Sequence, residues 1–236
     1  WLPSAAVATL VDATGLAVLT GDTGCYLKGI GIHTGDAGEL WGVAADGHRL
    51  AMTRQALPSG AAQMPSIILP RKAVSELRKL LDDFDGDVFV GLSETRAEFR
   101  FGVVRLTSKL IDGTFPDYTR VIPVGNDRIM KVDASAFSAA VDRVSTIASE
   151  KSRSVKMGLK TGVLTLSASN TDASSATEEL EVSYDGPEMG IGFNARYLLD
   201  IAGQVNSCLL YTFRAHETKA NLVCRLLLEK KKKKNK

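Results

Sequence analysis

Residues 67–81, IILPRKAVSELRKLL, decide the fold class. Ile67, Ile68 and Leu69 form an apolar triplet that reads as a short buried strand. Pro70 then opens a helix over 71–81, since proline fixes its own φ and needs no N–H at a helix start. Val74, Leu77, Leu80 and Leu81 recur at helical spacing and make one apolar stripe. Strand-like segments follow at 87–91, 96–101 and 104–110.

The same pattern returns downstream, in residue type rather than in identity. Residues 129–132 are the strand, and Asp133 is a good N-cap for a helix that turns Phe137, Ala140, Val141, Val144 and Ile147 inward. Strands follow at 154–159, 162–169 and 177–184. In the second of these, Leu164 and Leu166 alternate with Thr165 and Ser167, the period of a half-buried strand. A further helix is predicted from 194 or 195 to about 203. Repeated strand–helix–strand units predict an α+β protein with antiparallel sheets and helices on one side. Residues 123–127, PVGND, make a turn-rich boundary, so the copies divide as 1–126 and 127–206. The first thirty residues are rich in Gly and Thr. There the reading extends only to a strand at 26–30, paired with 40–44.

The 236 residues are 44% hydrophobic and 24% charged, an ordinary globular composition. No apolar run approaches the roughly 20 residues of a membrane helix, and no signal-peptide pattern follows Trp1, a start that suggests a longer reading frame. Cys25, Cys208 and Cys224 are too widely spaced for a disulfide framework or a metal pair, and read as reduced intracellular thiols. Residues 208–236 carry nine of the 29 Lys/Arg and two of the 27 Asp/Glu, so the remainder is acidic, 20 basic against 25 acidic. The basic balance belongs to the tail, and any nucleic-acid surface must be local. Residues 230–234 are all lysine, which fits translated poly-A, and 222–229 back-translate to a sequencing-adapter end. Residues 207–236 are therefore expected to be a non-native tail from adapter read-through.

No P-loop, zincin or nucleophile-elbow motif is present. His33 and His48 stand apart from any Cys or paired acid. Asp82, Asp83, Asp85 and Asp87 read as a solvated turn, although a metal-dependent nuclease built on them is the alternative from another class. The pattern points to a binding scaffold with no catalysis, cofactor or metal.

Four segments resemble the bacterial sliding-clamp family, the beta subunit of DNA polymerase III. They are 44–51 (AADGHRLA), 69–72 (LPRK), 108–123 (SKLIDGTFPDYTRVIP) and 191–200 (IGFNARYLLD). They cover about residues 25–204 in family order, with no match to the family's first domain or its final segment. The resemblance implies repeated sliding-clamp domains, antiparallel sheets outside and helices lining a hole that encircles duplex DNA. It implies a homodimeric ring, cytoplasmic and nucleoid-associated, with no membrane. Polymerase, clamp loader and repair proteins would dock by linear peptides in a hydrophobic pocket. By motif, that pocket comprises Leu27, Gly47, His48, Arg49, Leu50, Pro116, Arg120, Val121, Asn194 and Tyr197. DNA contact falls to Tyr26, Arg71, Lys72, Lys151 and Arg153. Ala45 departs from the family, which usually has Thr there. A paralogue or a phage clamp is the nearer alternative.

Overall fold

The computed structural model describes residues 1–21, 24–148, 153–170 and 174–205, together with the backbone of Cys208–Phe213. The chain forms two compact units, Trp1–Arg120 and Val121–Lys236. The division falls ahead of the turn-rich stretch at 123–127.

The first unit contains the strand–helix–strands module twice. Its first copy is β1 (Leu2–Pro3), α1 (Ser4–Gly15), β2 (Gly29–Thr34), β3 (Glu39–Ala45) and β4 (Leu50–Ala56). The second is β5 (Ile67–Pro70), α2 (Arg71–Asp82), β6 (Asp87–Leu92), β7 (Arg96–Phe101) and β8 (Val104–Lys109). All pairings are antiparallel, in two sheets ordered β4-β3-β2-β5 and β1-β6-β7-β8. Each copy thus lends its first strand to the other copy's sheet. Ile30 faces Leu69 across β2 and β5, and Leu2 faces Val88 across β1 and β6. This exchange joins the copies into one core, in which Val7, Leu10 and Val11 of α1 meet Val74, Leu77 and Leu81 of α2.

The helix α1 is absent from the sequence reading. Val7, Leu10, Val11 and Thr14 line its buried stripe, but its other face is mostly small residues and carries one charge, Asp12. The contrast that marks an amphipathic helix is therefore weak. Its threonines satisfy themselves: Thr9 and Thr14 donate their hydroxyls to the carbonyls of Ala5 and Leu10, both at 2.7 Å. The strand expected at 26–30 needs correction. Residues Cys25–Leu27 form a 3-10 turn after Gly24, whose φ of 74° is left-handed. The strand begins only at Gly29, where a Cβ would stand 2.4 Å from the Leu69 carbonyl oxygen. Its partner is β3, as expected.

The second unit runs β9 (Arg128–Asp133), α3 (Ala134–Ser145), β10 (Ser154–Lys160), β11 (Val163–Ser169), β12 (Ser175–Glu181), β13 (Met189–Asn194), α4 (Ala195–Ala202) and β14 (Cys208–Phe213). One sheet is ordered β12-β11-β10-β13 and the other pairs β14 with β9. The strand exchange is repeated, because β13 joins β10 while β14 joins β9. Asp133 caps α3 as its sequence position predicts, accepting from the Ala136 N–H at 2.8 Å. Phe137, Ala140 and Val141 are fully buried and Val144 nearly so, whereas Ile147 lies past the helix end and is half-buried. The backbone of Cys208–Phe213 forms an antiparallel ladder, from Cys208 opposite Asp133 to Phe213 opposite Arg128. That part of the segment assigned to a non-native tail is thus structured, and the rest lies outside the described residues. No helix among the described residues is long and apolar enough to cross a membrane.

Candidate functional site

Three segments of the first unit carry the predicted docking residues, and each is fixed by a specific set of contacts. The first is the turn between β3 and β4. Gly47 takes a φ of 88°, a conformation open to glycine without strain. Asp46 organises the turn: one carboxylate oxygen accepts from the N–H groups of His48 (2.9 Å) and Arg49 (3.0 Å). The other accepts from Arg49 Nε at 3.0 Å. Arg49 also donates to the Leu16 carbonyl, which ties the turn to the loop after α1. Both charged side chains are largely buried, at 14% and 13% exposure, so this ion pair is far better shielded than a surface one. His48 stays exposed and Leu50 half-buried.

The second segment is that same loop. Leu19 donates its N–H to the Leu27 carbonyl at 3.0 Å, so Leu27 and Arg49 are both anchored to residues 16–19. The sequence places Leu27 and the 47–50 turn twenty residues apart; the structure brings them to one loop.

The third segment, residues 111–120, is a strap laid over β2 and β5. The Ile111 N–H donates to the Ile68 carbonyl at 3.0 Å. The Phe115 ring sits on Gly31, where a Cβ would come within 2.7 Å of Phe115 Cγ. Tyr118 reaches His33 Nε2 at 3.0 Å. Burial pushes the Tyr118 hydroxyl above its ordinary pKa, with a further push from the Asp117 carboxylate. The strap presents Pro116 and Arg120 on its exposed side. Arg120 is 86% exposed and pairs with Asp117 at 3.0 Å. Asp117 is held below the usual carboxylate range, chiefly by the hydroxyl and N–H of Thr119, with Arg120 adding to it. An exposed pair of this kind is weak, so Arg120 can exchange Asp117 for an incoming acceptor at small cost.

Val121, Asn194 and Tyr197 belong to the second unit. Val121 is exposed at 51%. Asn194 is the N-cap of α4 and accepts from the Arg196 N–H at 2.9 Å. Tyr197 is half-buried on the same helix.

Of the residues assigned to DNA contact, the four described, Tyr26, Arg71, Lys72 and Arg153, are exposed. Tyr26 is in the 3-10 turn and 43% exposed. Arg71 and Lys72 open α2, where two cations face the positive end of the helix dipole at a cost of a few tenths of a kcal/mol. Arg153 is exposed and is the one non-glycine residue with positive φ, 42°, among those described. Lys151 lies outside the described residues.

Sequence reasoning missed Asp46, His33 and Phe115 as positioning residues. Asp46 could have been found, because Asp two places before a backbone donor is an Asx-turn signature. The other two are visible only through the fold. Among the described residues, no three His, Cys, Asp or Glu side chains come together to hold a metal ion, the acids at 82–87 included.

Duplicated strand–helix–strand modules with exchanged strands and antiparallel sheets define an α+β fold. Residues 1–117 match the family model of the DNA polymerase III beta subunit, central domain, and residues 119–209 match that of its C-terminal domain. The chain belongs to the DNA polymerase III beta subunit family. The match reaches back through α1, beyond the stretch that sequence motifs covered. Among curated relatives, the beta sliding clamp of Caulobacter vibrioides is 48% identical over 199 residues, 83% of this chain and 54% of that protein. That of Escherichia coli K12 is 37% identical over 204 residues. The chain thus spans about half the length of the curated relatives it matches. A sliding clamp from Bartonella birtlesii, solved bound to griselimycin, superposes with a TM-score of 0.87 at 49% identity, covering 90% of this chain and 58% of its own. One from Pseudomonas aeruginosa gives 0.84 at 35% identity.

Proposed function

We propose that this chain is the partner-docking portion of a DNA polymerase processivity clamp. Its parent protein encircles duplex DNA as a homodimeric ring, close to the nucleoid, and performs no catalysis. Polymerase, clamp loader and repair proteins dock on it by short linear peptides. The observation that carries this reading is the pair of anchored segments in the first unit. The Asp46-organised turn presents His48 and holds Arg49, largely buried, beside it, and the strap over β2 presents Pro116 and Arg120. In the first unit Leu27, Leu50 and Pro116 supply apolar surface, and Arg49 and Arg120 supply polar groups to orient a peptide; in the second unit Val121 is apolar and exposed, and Asn194 and Tyr197 supply polar groups. Arg71, Lys72 and Arg153, with Tyr26, meet the phosphates of duplex DNA without reading sequence.

The experiment is a titration of a Gln-x-x-Leu-Phe peptide against the chain, with Arg120→Ala alongside. Saturable binding weakened about tenfold by the substitution supports the site. Binding indifferent to Arg120→Ala removes it from the pocket.

A further inference from the structure

The outward face of the sheet formed by β6, β7 and β8 carries a charge pattern that peptide docking does not use. Side chains alternate along these strands. Val88, Ala97, Phe99 and Phe101 are buried, and Arg96, Arg100, Arg105 and Lys109 point out. The register sets Arg100 directly opposite Arg105, and Arg96 directly opposite Lys109. Like charges directly opposite on a sheet are destabilising, and here two such pairs occur in one six-residue ladder. A single carboxylate, Glu98, lies between them. It pairs with Arg100 and, at 3.4 Å, with Arg105. Those two guanidiniums hold it below the usual carboxylate range. Arg96 and Lys109 carry no ion pair among the described residues. Asp87 is the other acid on this face, at its far end.

The first unit as a whole is slightly acidic, with 12 Lys/Arg against 14 Asp/Glu in residues 1–120. A third of those cations therefore stand on one face of one two-stranded ribbon. From strand geometry the two pairs are about 13 Å apart along the ribbon, and the members of each pair about 5 Å apart.

The same row continues into aromatic side chains. The register places Phe89 opposite Arg100, whose guanidinium lies 4.7 Å from the Phe89 ring centroid. Trp1, 70% exposed, meets Phe89 edge-on at 5.3 Å. One row across the sheet thus reads Trp1, Phe89, Arg100, Arg105.

We propose that this face binds single-stranded nucleic acid, with phosphates on the four cations and an unpaired base against Trp1 and Phe89. Cations that track a backbone beside aromatic rings are the two parts of a single-strand platform. A duplex keeps its bases stacked inside and gains nothing from the aromatic row. An acidic peptide likewise uses only the charges.

The test is fluorescence anisotropy of labelled oligothymidylate with the chain at low salt. Arg100→Gln/Arg105→Gln and Arg96→Gln/Lys109→Gln each remove one like-charge pair. Both should keep or raise Tm and leave the Gln-x-x-Leu-Phe peptide titration unchanged. Each should weaken oligothymidylate at least tenfold. Four phosphate contacts give a slope of log K on log salt near −3, and about half that in each variant. Phe89→Leu should weaken oligothymidylate but not polyphosphate. Absence of binding, or affinity unchanged in both double variants, overturns the proposal. Polyglutamate binding as tightly and losing as much in the variants assigns the face to an acidic peptide instead. Duplex binding as tightly overturns the single-strand reading.

Discussion

His33 Nε2 and Tyr118 Oη lie 3.0 Å apart, although 85 positions separate them in the chain. His33 Nδ1 lies 2.9 Å from the Thr34 carbonyl oxygen, which can only accept. The proton of the neutral ring therefore sits on Nδ1, and Nε2 accepts from the Tyr118 hydroxyl. The two rings stand 5.9 Å apart, tilted by 38°. The contact closes the far end of the strap, next to Pro116 and Arg120.

Tyr118→Phe keeps the ring contact and removes one hydrogen bond. The expected loss in unfolding free energy is about 1 kcal/mol, read by urea titration. Peptide affinity should fall by a larger factor than Tm suggests, mainly through faster dissociation, because the strap end moves while the unit stays folded. Equal peptide off-rates in wild type and Tyr118→Phe would show that this contact does not position the site.

Asp46 offers a sharper separation. Asp46→Ala strands three donors, two backbone N–H groups and Arg49 Nε, at a position of low exposure. A loss of about 2 kcal/mol is expected. Asp46→Asn retains an acceptor for the backbone and gives up the charge on Arg49. It should recover most of the stability and little of the peptide affinity. Full recovery of both would leave Arg49 without a role in binding.

Much of this architecture is legible in residue order, and the failures share a physical cause. The helix α2 and the capped helix α3 announce themselves by an apolar stripe against charged or polar positions. The helix α1 hides because Ala and Thr fill the face where charges would stand. Residues 25–27 are apolar enough to pass for strand, and only the positive φ at Gly24 turns them aside. The exchange of first strands is invisible for a different reason: Ile67, Ile68 and Leu69 specify a buried strand but not its neighbour. Of the site, Gly47, His48 and Arg49 are contiguous and easily found as a unit. The partnership of Gly31 with Phe115 depends on chain closure over more than eighty residues, which no local pattern encodes.

Asn194 has two possible contributions, and substitution chemistry can split them. Its side chain caps α4 through the Arg196 N–H, and its amide is also a proposed peptide contact. Asn194→Ala should cost about 1 kcal/mol as a lost N-cap and weaken peptide binding as well. Asn194→Ser keeps a capping oxygen and removes the amide. If it restores the unfolding midpoint but not peptide affinity, the amide itself meets the peptide. If both return, the cap alone matters.

Arg143 and Glu178 give a pH signature. Glu178 is held below the ordinary glutamate range, first by its hydrogen bonds from Arg143 and then by the guanidinium charge. A depressed carboxylate contributes stability that is complete above its unfolded pKa and fades as pH falls through the lower folded value. The unfolding midpoint of Glu178→Gln should therefore lie below wild type at neutral pH, and the difference should shrink to nothing on acidification. A difference that grows in acid would mean the pair is not what separates the two proteins. The effect will be small, since both groups are open to solvent.

Gly31 carries the most demanding geometric claim. A methyl group there would need the space of the Phe115 ring, because the Cβ would stand 2.7 Å from Cγ and 2.8 Å from Cδ2. The ring must move, and the strap that bears Pro116 and Arg120 must move with it. Gly31→Ala is expected to destabilise the unit by about 2 kcal/mol, the usual range for overpacking, and to weaken peptide binding. Phe115→Ala loses buried apolar surface and should also destabilise. In the double variant the clash is gone, so its cost should be less than the sum of the two single costs by about 1 kcal/mol or more. Strict additivity would mean that the ring and the glycine do not meet. Peptide affinity should follow a separate course, staying low in the double variant because the strap has lost its anchor even though the strain is relieved.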